Sequence, residues 1–415
     1  MSVKSKILSV VDHNDFLSYM LALTLSTILV GYAPSSTTLI VFCLFVIRYR
    51  LINKISFKLN TSSILLILLY LFCCVSYFWT VDPDLSLKGM GRLPVLLVIP
   101  VIFAMIPKFS FRSFQIVLNG FTISNIILGL FFLVTAIINY IQLGNSTVFT
   151  YHDFVEVLNL NAIYVSVFYA LSYFFLLSKE TKKRIDYFGL FFLGATILLL
   201  SSKTIIATFL IGNIVYFFRN NRIKSLKSPK VIGAFLIVIS IVAITSHEIV
   251  DRILTEKTTN FEEVLHREKF NKIYPWTGTS IRLLQLRNLK EQIEEDDVFW
   301  KGFGLFASRK NLRDRFIAFN LYPGYYGYNY HNMYAQILSE LGIFGLLTLL
   351  VILGLGYLKS FKTKSFFMLM FYFLMTMVFI TESFLWVHRG VFLFVIMNCM
   401  LQRTDFLKLK QAIKS

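Results

Sequence analysis

The stretch HNMYAQILSELGIFGLLTLLVILGLGY, residues 331–357, decides the fold class of this chain. Two polar residues, His331 and Asn332, open it, and the twenty-five residues that follow carry one charge, Glu340. A block of this length and composition can cross the hydrocarbon core of a bilayer as an α-helix. The sequence therefore predicts a transmembrane helix with a histidine at its water boundary and a carboxylate inside its apolar run.

Similar apolar blocks recur along the whole chain of 415 residues, of which 56% are hydrophobic and 15% are charged. The blocks do not alternate polar and apolar residues as the strands of outer-membrane barrels do, so we predict an all-α, polytopic inner-membrane protein. Nothing near the N-terminus resembles a cleavable signal, and the first block should stay as a helix. About twelve membrane-spanning helices are predicted, near 16–32, 35–48, 62–79, 93–107, 114–140, 159–178, 187–202, 204–218, 231–247, 333–357, 365–381 and 389–402.

The basic residues between the blocks predict the orientation in the membrane. If the N-terminus is cytoplasmic, the segments on that side hold 24 Lys and Arg against five Asp and Glu, whereas the other side holds 17 against 18. Cytoplasmic loops are the ones enriched in Lys and Arg, so both termini are expected in the cytoplasm. The net charge of +18 is then a feature of these loops and does not indicate nucleic-acid binding.

One segment between the predicted helices, 246–332, is far longer than a connection needs. It would face the periplasm and divides the chain into N-terminal helices (1–245), a loop domain, and C-terminal helices with a cytoplasmic tail (333–415). Long loops of this kind usually carry function. Gly-Phe-Gly at 302–304 predicts a tight loop. Apolar residues at helical spacing predict an amphipathic helix over Ser280 to Val298, with its apolar face at Ile281, Leu284, Leu286, Leu289 and Ile293.

The cysteines and acidic residues do not indicate a disulfide, a metal site or a cofactor. No acidic cluster lies at the predicted outer boundary to hold a divalent ion. The Gly-Phe-Gly loop is not a phosphate loop, since no Lys-Ser helix start follows it, and no Ser-His-Asp or Cys-His spacing indicates nucleophilic catalysis. All four cysteines lie inside apolar blocks, namely Cys43, Cys73, Cys74 and Cys399. We therefore expect neither zinc binding nor a structural disulfide.

Ionisable residues at the predicted outer ends of the helices are the candidate functional groups. A charge at such a boundary requires a partner or a function, and several cations there suit a diphosphate held at headgroup depth. An imidazole at the same boundary can take a proton from an acceptor hydroxyl near neutral pH. For Arg92 and Glu340, a structural role, either snorkelling or pairing between helices, is as consistent with the sequence as a functional one. The residues concerned are Arg92, Lys203, Arg282, His331, Glu340, Glu382, His388 and Arg389.

Three stretches in this region resemble the O-antigen ligase and O-antigen polymerase superfamily of membrane glycosyltransferases. They are GTSIRLLQLRNLKEQIEEDDVFWKGFGLF, HNMYAQILSELGIFGLL and TESFLWVHRGVFLFVI, and the similarity extends over about 195–400. The family pattern is an Arg before an amphipathic helix, a Gly-x-Gly, and a His-Asn followed by leucines, a glutamate and a glycine. The resemblance implies transfer of a glycan from an undecaprenyl diphosphate carrier on the periplasmic face, without a metal ion or other cofactor.

The resemblance also implies roles for individual residues. It assigns the diphosphate-binding arginine to Arg282 and the histidine that activates the acceptor to His331. The family usually has a second arginine, in a Ser-Arg pair, where this chain has Lys203, which keeps the charge and loses the bidentate fork. We expect Arg389 to assist in binding the diphosphate. The predicted supporting residues are Asn332, Tyr330, Arg287 and Glu382.

Several functions stay open at this point. A ligase, which we favour, would pass the glycan to the lipid A core; a polymerase would pass it to a carrier-linked repeat unit, and a third alternative is a transferase that modifies proteins. A polysaccharide-lipid transporter would need no chemistry but would require polar residues near mid-membrane, for which Asn125 and Asn213 are the candidates. Such residues are more often hydrogen-bond partners between helices. The expected partners are therefore the carrier-linked donor, the glycan acceptor and membrane lipids.

Overall fold

The computed structural model describes residues 14–219 and 260–406. In these ranges the chain is all-α, as predicted, with fifteen α-helices, several short 3-10 turns and one isolated β-bridge between Phe109 and Thr404. The two ends of the chain, 1–13 and 407–415, lie outside these ranges. So do the predicted transmembrane helix 231–247 and the start of the predicted loop domain, 246–259.

Nine of the helices precede the gap in the described residues and six follow it. The first nine are α1 (Asn14–Thr27), α2 (Tyr32–Asn53), α3 (Thr61–Val75), α4 (Pro83–Arg92), α5 (Val95–Ala104), α6 (Phe111–Leu143), α7 (Ala162–Ser178), α8 (Arg184–Leu199) and α9 (Lys203–Arg219). The last six are α10 (Phe261–His266), α11 (Gly278–Glu295), α12 (Ser308–Ala318), α13 (Met333–Thr363), α14 (Phe366–Thr381) and α15 (His388–Arg403).

Five candidate membrane spans are present in the described residues, judged by length and apolar composition. They are α2, α3 with the turn that follows it, the pair α4 and α5, α6, and α13; the shorter apolar helices α7 and α14 accompany them. A helix overlaps each of the eleven predicted spans that fall within the described ranges. The chain is therefore a polytopic membrane protein, while the count of about twelve spans stays a prediction.

Three helices form the centre of the bundle. Fifteen of the seventeen residues of α7 are buried, every residue of α15 from Gly390 to Leu401 is buried, and α14 packs against α7. Peripheral helices keep apolar side chains on their outer faces, such as Ile127 of α6, which is 61% exposed. A helix that satisfies its own backbone hydrogen bonds and exposes an apolar face is suited to lipid.

Two buried polar contacts hold helices of this bundle together. The Asn125 side-chain amide donates to Ser172 Oγ at 2.8 Å, which joins α6 to α7. The Tyr173 hydroxyl donates to Asn213 Oδ1 at 2.7 Å, which joins α7 to α9. Asn125 and Asn213 are the polar residues that a transporter would require near mid-membrane. In this structure both form hydrogen bonds between helices, which is the usual role of such residues.

The residues 260–332, called the loop segment from here on, fold around a small core of their own. Helices α11 and α12 provide most of that core through Leu284, Leu312 and Phe316. The predicted amphipathic helix is confirmed as α11, but Leu286 is 43% exposed, so the predicted apolar face was wrong at this position. The buried stripe instead contains polar residues at the intervening helical positions, Gln285, Asn288 and Gln292.

The loop segment is attached to α13 by close backbone contact. The Phe303 amide donates to the Ser339 carbonyl at 2.9 Å, and the Ile343 amide donates to the Phe299 carbonyl at 2.8 Å. Glycines make this approach possible: a Cβ on Gly342 would lie 2.2 Å from the Trp300 carbonyl oxygen, and one on Gly302 would lie 2.3 Å from the backbone of α13. Both glycines have a positive φ, and the predicted tight loop at 302–304 is confirmed.

Candidate active site

One carboxylate joins two of the predicted site residues. Glu382 Oε1 accepts from Arg282 Nη2 at 3.4 Å, and Glu382 Oε2 lies 3.5 Å from His331 Nδ1. The Glu382 side chain is only 7% exposed, whereas Arg282 and His331 are 32% and 29% exposed. The three residues therefore form a cluster with a buried anion at its base and a cation and an imidazole at its mouth.

The N-terminal turn of α11 places Arg282. Thr277 caps this helix by accepting from the Ser280 amide at 3.0 Å, and Arg282 lies in the next turn. Its Nη1 donates to the Gly278 carbonyl at 2.9 Å, and its Nε donates to the Thr381 carbonyl at 3.3 Å. Because Thr381 ends α14 and Glu382 follows it, Arg282 connects the loop segment to the end of a helix in the bundle.

A left-handed backbone conformation directs His331 toward the same carboxylate. Its φ is +43°, which is uncommon for a residue with a side chain, and its amide donates to Asn329 Oδ1 at 2.8 Å. The ring contacts that of Tyr328 edge-on, with centroids 5.3 Å apart. The Nδ1–Glu382 approach is close but lacks the direction of a hydrogen bond. Asn332, a predicted supporting residue, caps α13 by accepting from the Ala335 amide at 3.0 Å.

Arg389 lies in the first turn of α15. Its guanidinium lies 5.1 Å from the ring centroid of Tyr32, and its Nε is buried without a hydrogen-bond partner among the described residues. Tyr164 stacks on Phe384 with centroids 5.0 Å apart and is within electrostatic range of both Arg389 and Glu382. The structure therefore brings Arg389 close to the cluster without direct contact.

Lys203 is the first residue of α9, and it is exposed. The turn before it is fixed by the Tyr151 amide, which donates to the Leu199 carbonyl at 3.0 Å. The ion pairs of Glu382 are with Arg282 and His331, so a shared site with Lys203 stays a prediction.

Two predicted supporting residues, Tyr330 and Arg287, make their contacts elsewhere. The Tyr330 hydroxyl is hydrogen-bonded to the side chains of Gln292 and Ser339 in the interior, and burial raises the pKa of Tyr330. Arg287 Nε donates to Glu291 at 2.7 Å, and its guanidinium lies 4.6 Å from the Phe319 ring centroid. Both residues therefore hold the loop segment together.

Glu340 is fully buried and does not snorkel. Its carboxylate accepts from the Phe306 amide at 2.7 Å, from Ser308 Oγ at 2.9 Å, and from the side chains of Trp386 and Gln336. These partners come from the loop segment, from α13 and from the turn before α15. Glu340 is thus the centre of a hydrogen-bond network between elements, which spacing along the sequence could not indicate.

No group of three or more His, Cys, Asp or Glu residues in the described ranges is arranged to hold a metal ion. The four cysteines are free thiols.

A family model described as O-antigen ligase matches residues 188–350. The match includes Lys203, Arg282 and His331, and it ends before Glu382 and Arg389. No curated protein matches the chain. The resemblance to this family is therefore confirmed over residues 188–350, and the chain carries a domain of the O-antigen ligase family, whose members are O-antigen ligase- or polymerase-type enzymes.

Proposed function

We propose that the protein is a metal-independent, inverting glycosyltransferase that moves a glycan from undecaprenyl diphosphate to an acceptor hydroxyl. The observation that carries this proposal is the position of Glu382 between Arg282 and His331. It puts a candidate base and a candidate phosphate-binding cation on one buried carboxylate. The match to the O-antigen ligase family supports the same class of reaction, and we favour a ligase whose acceptor is the lipid A core.

His331 is the proposed base. Its Nδ1 faces Glu382, so Nε2 is the nitrogen that would meet the acceptor. In the reaction Nε2 takes the hydroxyl proton, the hydroxyl oxygen bonds to the anomeric carbon, and the bond from that carbon to the diphosphate oxygen breaks. The diphosphate leaves with the bonding electron pair. Glu382 would orient the imidazole and stabilise the imidazolium that forms, as a carboxylate does in other His-dependent enzymes.

Arg282 is the proposed main ligand of the leaving diphosphate. Two of its three hydrogen bonds are long, at 3.3 Å to Thr381 and 3.4 Å to Glu382, so these donors are the ones proposed to bind phosphate oxygens. The guanidinium offers a planar fork that matches two phosphate oxygens. Because the diphosphate gains negative charge as the glycosidic bond breaks, a fixed cation stabilises the transition state more than the ground state.

Arg389 and Lys203 are the proposed additional cations. The Arg389 Nε has no hydrogen-bond acceptor among the described residues, and its place in the first turn of α15 adds the positive end of the helix dipole. Lys203 would supply a point charge from the start of α9. We place this site at the periplasmic face of the inner membrane, with both termini in the cytoplasm, because of the distribution of Lys and Arg between the loops.

The experiment that tests the function compares glycolipids from a strain lacking the gene with those from its parent. A ligase predicts that long glycan chains accumulate on the carrier and are missing from the lipid A core. A single repeat unit on the core would instead support the polymerase, and glycan trapped on the cytoplasmic face would support a transporter. Transfer by the purified protein from a carrier-linked glycan to an isolated acceptor then separates direct catalysis from an indirect effect.

A further inference from the structure

Two arginines outside the candidate active site face one aromatic ring. Arg92, the last residue of α4, lies 5.7 Å from the ring centroid of Phe306, and Arg309, in the first turn of α12, lies 4.8 Å from it. Within residues 14–219 and 260–406 neither guanidinium has an ion pair, and Arg309 Nε is buried with no hydrogen-bond partner. Arg92 is exposed, whereas a buried donor without an acceptor, such as Arg309 Nε, is unusual in a folded protein.

The ring between them is held rigidly. The Phe306 amide donates to Glu340 at 2.7 Å, and the ring stacks on Trp386 with centroids 6.0 Å apart and planes 12° apart. Helix α4 lies directly on this loop, since a Cβ on Gly89 would come within 2.5 Å of the Phe306 ring. Ser86 Oγ in the same helix donates to the Leu305 carbonyl at 2.7 Å. The contact between α4 and this loop therefore holds the backbones of Arg92 and Arg309 in place on either side of it.

The charges of this pair are only partly offset by the protein. Burial lowers the pKa of Arg309, the nearby Glu340 carboxylate opposes that change, and Arg92 adds to it. Glu340 already accepts hydrogen bonds from Phe306, Ser308 and Trp386. A buried charged donor without an acceptor is costly. An anion that accepts from both guanidinium groups would remove this cost and the repulsion between them.

The surroundings of the pair indicate the depth at which such an anion would be bound. Trp300 is 59% exposed and Phe344 of α13 is 55% exposed. Exposed Trp next to an apolar helical face is typical of the boundary between lipid headgroups and hydrocarbon. Phe306 itself stacks on Trp386, two residues before α15 begins. Arg92 directly precedes the predicted span 93–107, so the pair lies at the start of that helix, where phosphate groups carried on lipids are expected.

We propose that Arg92 and Arg309 form a second anion site, which binds a phosphate monoester at headgroup depth. Two planar forks around one ring can each donate to two phosphate oxygens. The site is distinct from the Arg282–Glu382–His331 cluster, and a buried chain of hydrogen bonds separates the two. In that chain Gln336 donates to Ser308 at 3.2 Å, and Ser383, next to Glu382, donates to Gln336 at 3.0 Å.

Binding to the purified protein in detergent, without any glycan donor, tests the proposal. The probes are dioleoyl phosphatidic acid, which carries a phosphate monoester, and dioleoyl phosphatidylcholine, whose headgroup has no net charge; native mass spectrometry reports the bound fraction. The test variants are Arg92→Gln, Arg309→Gln and the two together. The matched control is Arg313→Gln, which removes the same charge from an exposed position on α12.

The double variant should bind phosphatidic acid at least about tenfold more weakly than the parent protein, and Arg313→Gln should stay within about twofold. Competition by inorganic phosphate would mean that the site also takes free phosphate, and lack of competition would mean that the phosphate must be anchored on a lipid. An unchanged affinity in the double variant, or equal binding of the two lipids by the parent, would overturn the proposal. If Arg309→Gln lowers the melting temperature, the test rests on Arg92→Gln alone, because Arg92 is exposed. That variant should lose at least about threefold in affinity for phosphatidic acid.

Discussion

The carboxylate of Glu382 lies 3.5 Å from the imidazole Nδ1 of His331; His331 lies just before the start of α13, and Glu382 lies just after the end of α14. The other oxygen of the same carboxylate accepts from Arg282. A buried carboxylate beside a guanidinium is stabilised by it, and removing the carboxylate leaves the charge of that guanidinium uncompensated. Glu382 therefore connects the proposed base with the proposed phosphate ligand.

Replacing Glu382 with Gln should lower the rate of glycan transfer at least about tenfold, because the imidazolium that forms in the reaction would lose the nearby negative charge that stabilises it. The side chain keeps its size, so the protein should still fold. The measurement is the initial rate of transfer in detergent at matched protein amounts. Glu294→Gln on the exposed face of α11 is the control. A Glu382→Gln rate equal to that of the control would remove Glu382 from the mechanism.

Removal of the His331 imidazole should lower transfer by roughly 10²- to 10⁴-fold, the usual contribution of a general base. The left-handed backbone at this position permits a sharper test. His331→Gly should be at least as stable as His331→Ala, because glycine adopts a positive φ without strain. Both variants should be equally inactive. Activity that follows stability across the two variants would show that His331 acts through the fold and not as a base.

Arg282→Ala should abolish transfer, and Arg282→Lys should retain a trace, since lysine keeps the charge and loses the fork. The exposed Arg313→Gln, on α12 of the same loop segment, is the control for charge. Binding of undecaprenyl diphosphate should weaken together with the transfer rate. If Arg282→Lys were as active as the parent protein, the contacts of Arg282 with Thr381 and Glu382 would be structural, and another cation would have to hold the diphosphate.

A helix overlaps each predicted span in the described ranges because the spans are predicted from runs of apolar residues, and five of them reach the length that a membrane requires. The sequence also predicted Arg282, His331 and Glu382 as site residues, from charges at helix ends and from the resemblance. It could not predict that Glu382 lies between the other two. That geometry depends on the left-handed φ of His331 and on the packing of α14 against α13, neither of which a sequence pattern indicates.

Arg309 and the partners of Glu340 were missed for a related reason. Arg309 lies within a polar stretch, SRKNLRDR, where a charged residue is unremarkable. Its importance emerges only when α4 is placed on the loop segment and brings Arg92 to the same ring. The exposure of Leu286 and the burial of Gln292 could not be predicted for a similar reason. Gln292 is buried because it hydrogen-bonds with Tyr330 and Ser339, which lie outside α11.

Gly342→Ala should destabilise the protein by about 2–4 kcal/mol, because its φ of +65° and ψ of −166° suit glycine alone and because the methyl group would meet the Trp300 carbonyl. The control is Gly354→Ala in the same helix, where a Cβ meets nothing within 4 Å; it should be neutral or slightly stabilising. Thermal unfolding in detergent measures both. Equal melting temperatures would mean that the contact between the loop segment and α13 is not formed in the protein.

The last prediction concerns Lys203, where this chain has a lysine at the position of the usual arginine. Lys203 is the first residue of α9, and a cation at a helix N-terminus costs about 0.3–1 kcal/mol through the helix dipole. A bound phosphate would offset that cost, since the anion is stabilised by the ammonium and by the helix end together.

Lys203→Met should lower glycan transfer at least about tenfold, because the diphosphate would lose a charged partner. Lys203→Arg should keep or improve transfer, because it restores the fork. A snorkelling lysine would lose little on conversion to Met, since its stem already lies against apolar surroundings. Both variants are compared with the parent at matched membrane levels. Full activity in Lys203→Met would leave Arg282 and Arg389 to hold the diphosphate.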